Sequence, residues 1–87
     1  MTLRYVPLEV FTKKASATDA SANKVVFTMP HKVNGAIAQV IKAADDSVNA
    51  TGLTVTIATD ETTGVCTVEV AVTSLTENDV VTIMAVV

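Results

Sequence analysis

The stretch that decides the fold is the last ten residues of the chain, Asn78-Asp79-Val80-Val81-Thr82-Ile83-Met84-Ala85-Val86-Val87. From Val80 onward only Thr82 interrupts the apolar residues, so the run lacks the alternation of a strand with one wet face. It is also far too short to cross a bilayer. We expect a β-strand that is covered on both faces, either in the centre of a sheet or against another subunit.

The composition favours one small β-rich domain spanning residues 1–87. Val and Thr are abundant, and their β-branched side chains suit a pleated surface better than a helix. A chain of 87 residues buries only about 60–65% of the surface it exposes when unfolded. Trp is missing, and Tyr5, Phe11 and Phe27 are the aromatic residues. The core must therefore be aliphatic, and oligomerisation is the expected further source of stability.

The clearest secondary structure is a hairpin in the second half of the chain. Leu53, Val55 and Ile57 alternate with threonines in one strand, as expected for a half-buried strand. The polar turn 60–64 follows, and its Gly64 can take a positive φ. The next strand, 66–72, places Cys66 and three valines on one face. We predict one dry and one wet face for this hairpin.

The segment Gly35–Lys42 is open to two interpretations. Its apolar residues follow helical spacing from Val33 to Val48, and Ala, Gln and Lys favour helices. Gly35 would then lie in the first helical turn, and the neighbouring segments all have the pattern of strands. The residues Asp45-Asp46-Ser47 and Asn49 suit a turn that ends a strand and starts a hairpin. We interpret the segment as a strand and keep the helix as the alternative.

The first part of the chain reads as extended. Residues 1–13 form a predicted arm or pair of edge strands broken at Pro7, which cannot donate to a sheet. Residues 15–23 are small and polar without periodicity, which predicts a loop, and 25–28 predict a strand. Six or seven short strands at this spacing indicate an all-β fold, namely a small antiparallel β-sandwich, Ig-like or related.

The charges are segregated along the chain. All six basic residues lie in the first 42 residues, where the net charge is +4, and the remainder carries −7, for a total of −3. This balance argues against nucleic-acid binding, which needs clustered Lys and Arg. The segregation has two interpretations: folding mixes the two halves, or a basic N-terminal part docks on an acidic surface of a neighbour. On the second interpretation, we predict partner contacts at Arg4, Tyr5, Lys13 and Lys14.

The sequence lacks the residues that most enzymes and metal sites require. Catalysis needs a nucleophile beside a base, and the one His–Cys combination, His31 with Cys66, places the cysteine on an apolar face, where a buried hydrophobe is expected. The oxygen-rich turns at 60–61 and 77–79 lack the ligand spacing of a calcium loop, so we expect solvated turns. We predict no catalytic residue, cofactor or metal, and no membrane partner.

The layout of the chain resembles small virion proteins of tailed bacteriophages, in particular capsid decoration (cement) and head-fibre modules. The resemblance rests on the extended N-terminus, the Thr/Val hairpin and three quoted segments: the strand ending at Met29-Pro30, then Val33-Asn34-Gly35-Ala36-Ile37-Ala38-Gln39-Val40, and the closing Asn78-Asp79-Val80-Val81-Thr82. It implies a non-enzymatic protein, made in the host cytoplasm, that binds the major capsid protein on the outside of the virion and stabilises the capsid.

The same resemblance implies a homo-oligomer, with a trimer favoured, whose modest contacts are repeated over the capsid lattice. Two other functions fit the sequence. One is a phage tail or fibre component, and the other is an Ig-like module that binds a ligand or carbohydrate. The missing export signal at the N-terminus favours synthesis in a cytoplasm, with Cys66 reduced.

Overall fold

The computed structural model describes residues 8–86 of the chain. In these residues there are seven strands and one short helix. The elements are β1 (Leu8–Lys14), α1 (Ala17–Ala22), β2 (Lys24–Met29), β3 (Gly35–Ile41), β4 (Val48–Asn49), β5 (Leu53–Thr59), β6 (Cys66–Val72) and β7 (Val80–Val86). No helix in this part of the chain is long and apolar enough to span a membrane. The short strand predicted before Pro7 lies outside the described residues.

The strands form two antiparallel sheets that pack into a sandwich. Sheet A has the order β1-β7-β3-β4, and sheet B has the order β2-β6-β5. The predicted all-β sandwich is therefore confirmed. Its connectivity is not that of an immunoglobulin constant domain, in which the first two strands share a sheet, because β1 here pairs with β7.

The C-terminal stretch is the central strand of sheet A, as predicted. β7 pairs with β1 on one side and with β3 on the other, and Ile83 faces both Phe11 and Ala38 in the register. Its inward residues Val81, Ile83 and Ala85 have no exposed surface. The expectation that both faces are covered is wrong for the described residues, because sheet B covers sheet A on one side and the other side carries exposed Met84.

The core between the sheets is aliphatic, as predicted from the composition. Sheet B contributes Val25, Val68 and Val70, and sheet A contributes Val40 and the inward side of β7, all without exposed surface. Cys66 lies in the same layer, also fully buried. Such a core depends on close packing of small branched side chains.

Residues 15–23 were predicted to be a loop, and this prediction is wrong. Ser16 caps helix α1 by accepting a hydrogen bond from Asp19 N through its side chain at 3.1 Å, and Asp19 Oδ2 accepts from Ser16 N at 3.1 Å. This capping box satisfies donors at the start of the helix. Asn23 ends the helix in the left-handed conformation with φ 55°. No residue of α1 is buried, so the helix leaves no apolar period in the sequence.

The ambiguous segment is strand β3, and the helical alternative is excluded. All seven of its residues pair with β7, from Gly35 opposite Val86 to Ile41 opposite Val80. Asp46, at φ 58°, turns the chain back into β4. The β5–β6 hairpin is also confirmed: Gly64 has φ +75°, and its N–H donates to Asp60 O at 2.7 Å.

Candidate binding surface

The outer face of sheet A is apolar, although no described element covers it. We call it the apolar face; it comprises Leu8, Val10, Ile37, Ile41, Val48, Val80, Met84 and Val86. Val10 and Ile37 flank Met84 in register and are each 63% exposed, while Met84 is 39% exposed. Contiguous apolar surface of this kind on a soluble protein is typical of interaction sites.

A polar row crosses the apolar face. Thr12, Thr82 and Gln39 lie side by side in the register of β1, β7 and β3. Beyond this row the apolar residues resume with Val80 and Ile41, and Lys14 lies opposite Val80 at the margin. The face therefore has a fixed pattern of apolar and polar stripes, which a complementary partner surface can match.

The outer face of sheet B is polar by contrast. It carries Thr54 and Thr56 on β5 beside a salt bridge of 3.0 Å between Lys24 Nζ and Glu69 Oε1. This is the wet face predicted for the hairpin. The molecule thus has one apolar outer face and one hydrated outer face.

Two of the four predicted contact residues, Lys13 and Lys14, lie within the described residues. Arg4 and Tyr5 lie outside the described residues. Lys13 and Lys14 are neighbours in β1, and successive strand residues point to opposite faces. Lys14 borders the apolar face, whereas Lys13 reaches sheet B, where its Nζ donates to Val26 O at 3.2 Å.

His31 and Cys66 do not form a catalytic pair. Cys66 is fully buried, whereas His31 is exposed and its Nε2 lies 2.8 Å from Glu9 Oε1. The hydrogen bond to Glu9 raises the pKa of His31, and a weaker one to the Lys32 carbonyl adds to the effect. The pair joins the start of β1 to the connection that follows β2.

Asp79 was predicted to lie in a solvated turn, and this prediction is wrong. Its side chain has no exposed surface and accepts four hydrogen bonds of 2.6–2.9 Å, from Lys42 Nζ, Ala43 N and both the N–H and hydroxyl of Thr76. Burial raises the pKa of this carboxyl, but the bonds from Ala43, Lys42 and Thr76 outweigh it and hold the pKa well below its usual range. Lys42 Nζ also donates to Ser74 O at 2.6 Å.

The geometry of this Lys42–Asp79 cluster indicates a role in stabilising the fold. It ties the end of β3 to the turn before β7, and its donors and acceptors satisfy one another. Nothing local in the sequence indicates it, since the partners are 37 positions apart. Within residues 8–86, no group of three or more His, Cys, Asp or Glu side chains could hold a metal ion, and the two acidic turns do not converge.

A cavity of about 170 Å³ lies near this cluster, lined in part by Lys42, Asn49, Gly52 and Thr73. Ligand pockets usually have volumes of about 300–1,000 Å³, so this one is small for a sugar or cofactor. The ammonium group of Lys42 is already occupied by Asp79 and Ser74.

The chain matches no protein-family model, no curated protein and no solved structure. Its function therefore has to be argued from its own surfaces.

Proposed function

We propose that this protein is a non-enzymatic structural protein that attaches to a larger assembly through the apolar face. The observation that supports the proposal is the difference between the two outer faces of the sandwich. A module with one apolar and one hydrated face suits a position on the surface of an assembly, where one side is bound and the other meets solvent.

The size of the apolar face indicates how strong one contact can be. Its three long strands span roughly 350 Å² of sheet. A stable protein–protein interface buries about 800 Å² on each partner, so the apolar face supplies less than half of that area. A single face therefore binds weakly, and stable attachment requires several linked copies on a repeating surface.

These requirements agree with a tailed-phage decoration protein, which we propose as the specific assignment. The repeating surface is the outside of the capsid, the partner is the major capsid protein, and the protein is located on the virion after synthesis in the host cytoplasm. Lys14 at the margin of the apolar face supplies a rim contact. Contacts from Arg4 and Tyr5 remain a sequence-based prediction, while Lys13 is engaged with Val26 O.

The second candidate is a tail or fibre component of the same kind of particle, which would use the same apolar face. The carbohydrate-binding alternative receives less support, because the cavity near Lys42 is small and three aromatic residues in the whole chain offer little for sugar stacking.

Co-sedimentation with capsid shells tests the proposal. On this proposal a phage genome encodes the chain, and the probe is expanded and unexpanded shells of that phage. We expect binding to expanded shells, and we expect Val10→Lys to weaken it by at least about tenfold, equivalent to about 1.4 kcal/mol, because the new charge is buried against the partner.

Val26→Lys is the matched control. Val26 is 38% exposed on the outer face of sheet B and lies opposite Glu69 on β6. This variant should bind as the wild type does. Equal loss in both variants, or no binding of the wild type to either kind of shell, would contradict the proposal.

A further inference from the structure

The free edge of β5 is a second interaction surface, distinct from the apolar face. β5 pairs with β6 on one side, and no strand within residues 8–86 pairs with its other side. The residues of β5 that face the core, among them Val55 and Ile57, are half-buried, whereas Val68 and Val70 on neighbouring β6 have no exposed surface. The core is thus left partly open along this edge.

The hydrogen bonds at the ends of β5 show which groups point outward. Thr73 N donates to Gly52 O at 3.3 Å, and Asp60 N donates to Val65 O at 2.8 Å. Positions 52 and 60 therefore direct their backbone groups toward β6, and in an antiparallel ladder every second position between them does the same. The intervening residues Leu53, Val55, Ile57 and Thr59 direct their N–H and C=O groups to the free edge.

The free edge of β2, on the other side of the same sheet, is partly covered by a lysine side chain. Val72 N donates to Asn23 O at 2.8 Å. The odd-numbered residues of β2 therefore direct their backbone N–H and C=O groups toward β6, and those of Val26 point to the free edge. The Val26 carbonyl accepts the hydrogen bond from Lys13 Nζ. A lysine that covers a sheet edge, here Lys13 from β1 of the other sheet, opposes the addition of further strands. β5 contains no charged residue and no proline, so it lacks this protection.

The sequence of β5 fits a second copy of itself. In an antiparallel pair centred on Thr56, Val55 lies opposite Ile57 of the second copy, and Leu53 lies opposite Thr59. The outward-directed positions then form the hydrogen-bonded pairs, over the full length of the strand, while Thr56 meets Thr56 in a non-hydrogen-bonded pair. The apolar residues of both strands remain on the core side, so the pair closes both cores.

We infer that two copies of this chain associate through β5 by antiparallel strand addition, forming a continuous six-stranded sheet with twofold symmetry. This inference does not depend on the proposed function, since it uses a different surface. It predicts a dimer through this edge, whereas the resemblance to phage decoration proteins implies a trimer.

Cysteine cross-linking of the full chain tests the register. In a non-hydrogen-bonded antiparallel pair the Cα atoms are about 4.5 Å apart, which is compatible with a disulfide. Thr56→Cys should therefore give a covalent dimer under mild oxidation. The matched variant Thr54→Cys lies on the same face, but its two copies are separated by about 13 Å along the strands and should cross-link at least about tenfold more slowly. Cys66 is buried in both variants.

Native mass spectrometry over a concentration series provides the second measurement. The wild type should show dimers. Thr56→Lys should raise the dimer dissociation constant about fivefold because it places two like charges directly opposite each other, while Thr54→Lys should change it little. Val10→Lys should leave the dimer intact.

Equal cross-linking of the two cysteine variants, or a purely monomeric wild type, would overturn the inference. Dimers without a Thr56→Cys cross-link would overturn it too, and would indicate that another segment, such as residues 1–7 of a neighbouring copy, occupies the edge. A dimer lost in Val10→Lys and kept in Thr56→Lys would assign dimerisation to the apolar face instead.

Discussion

Two ion pairs in this molecule have similar lengths but very different surroundings. Lys42 Nζ lies 2.6 Å from Asp79 Oδ2, with the carboxylate side chain fully buried, and His31 Nε2 lies 2.8 Å from Glu9 Oε1, with both side chains at least 40% exposed. Each pair joins elements far apart in the chain. The comparison shows that burial and the number of accompanying hydrogen bonds, rather than the distance, decide what an ion pair contributes.

The largest expected effect comes from removing the buried carboxylate. Asp79→Ala leaves the Lys42 ammonium without its carboxylate partner and the N–H groups of Ala43 and Thr76 without an acceptor. Breaking a buried pair in this way costs about 3–5 kcal/mol. Urea denaturation should show this loss in the free energy of unfolding. A loss under about 1 kcal/mol, the range of exposed pairs, would mean that the buried pair stabilises the protein no more than an exposed one.

Removing the cation should cost less. In Lys42→Met the carboxylate of Asp79 keeps its three bonds from Ala43 and Thr76, so the expected loss is about 1.5–3 kcal/mol, that of one hydrogen bond to a charged group. The same denaturation experiment measures it. If Lys42→Met lowers the free energy of unfolding as much as Asp79→Ala does, the hydrogen bonds from Ala43 and Thr76 contribute nothing without Lys42.

Acid should weaken the protein through Asp79. The pKa of its carboxyl is lower in the folded state than in the unfolded chain, where it is about 3.9. The stabilisation is therefore complete above about pH 4 and is lost as the pH falls through the folded pKa. Thermal unfolding between about pH 5 and pH 2 should show a smaller decline for Asp79→Asn than for the wild type.

Asp45 provides the control for this measurement. A hydrogen bond from the Ser47 hydroxyl, followed by one from Ser47 N, lowers the pKa of this exposed carboxyl as well. Because water screens the charge of Asp45, this carboxylate contributes little to stability. The Asp45→Asn variant should therefore show nearly the same loss of thermal stability in acid as the wild type. If the two variants behave alike, the exposed turn rather than the buried cluster governs acid stability.

The smallest effect should come from the exposed pair. The pKa of His31 is raised in the folded state, so its stabilisation is present below the unfolded value of about 6.5 and is lost as the pH rises through the folded pKa. Glu9→Gln should remove this dependence. Melting temperatures of the two proteins should differ slightly at pH 5.5 and agree at pH 8.5, and a larger difference at the higher pH would contradict the assignment.

Much of the fold was predictable because its signals are local. The alternation of Thr with Leu53, Val55 and Ile57 marks β5, and the apolar run beginning at Val80 marks the central strand. Helix α1 was not predictable from apolar periodicity, since it buries no residue and depends on the reciprocal bonds of Ser16 and Asp19.

The candidate surfaces were harder to predict because they depend on which segments become neighbours. The apolar pattern of β7 indicated that both of its faces are covered. The pattern alone does not say whether the outer face is covered by the same chain or by a partner. Asp79 resembles any acidic turn residue until Lys42, 37 positions away, is brought beside it. Lys13 was predicted as a partner contact, and its bond to Val26 O becomes visible only when sheet A packs against sheet B.

The bond from Lys13 to Val26 O has a consequence for the size of any assembly built through β5. Two copies joined at that strand have their β2 strands as the outer edges of the six-stranded sheet. Because Lys13 occupies the Val26 carbonyl at each of these edges, further strand addition there is disfavoured. The twofold contact itself uses the free edge of β5 in both copies, and one side chain per copy opposes growth of the pair through its remaining edges.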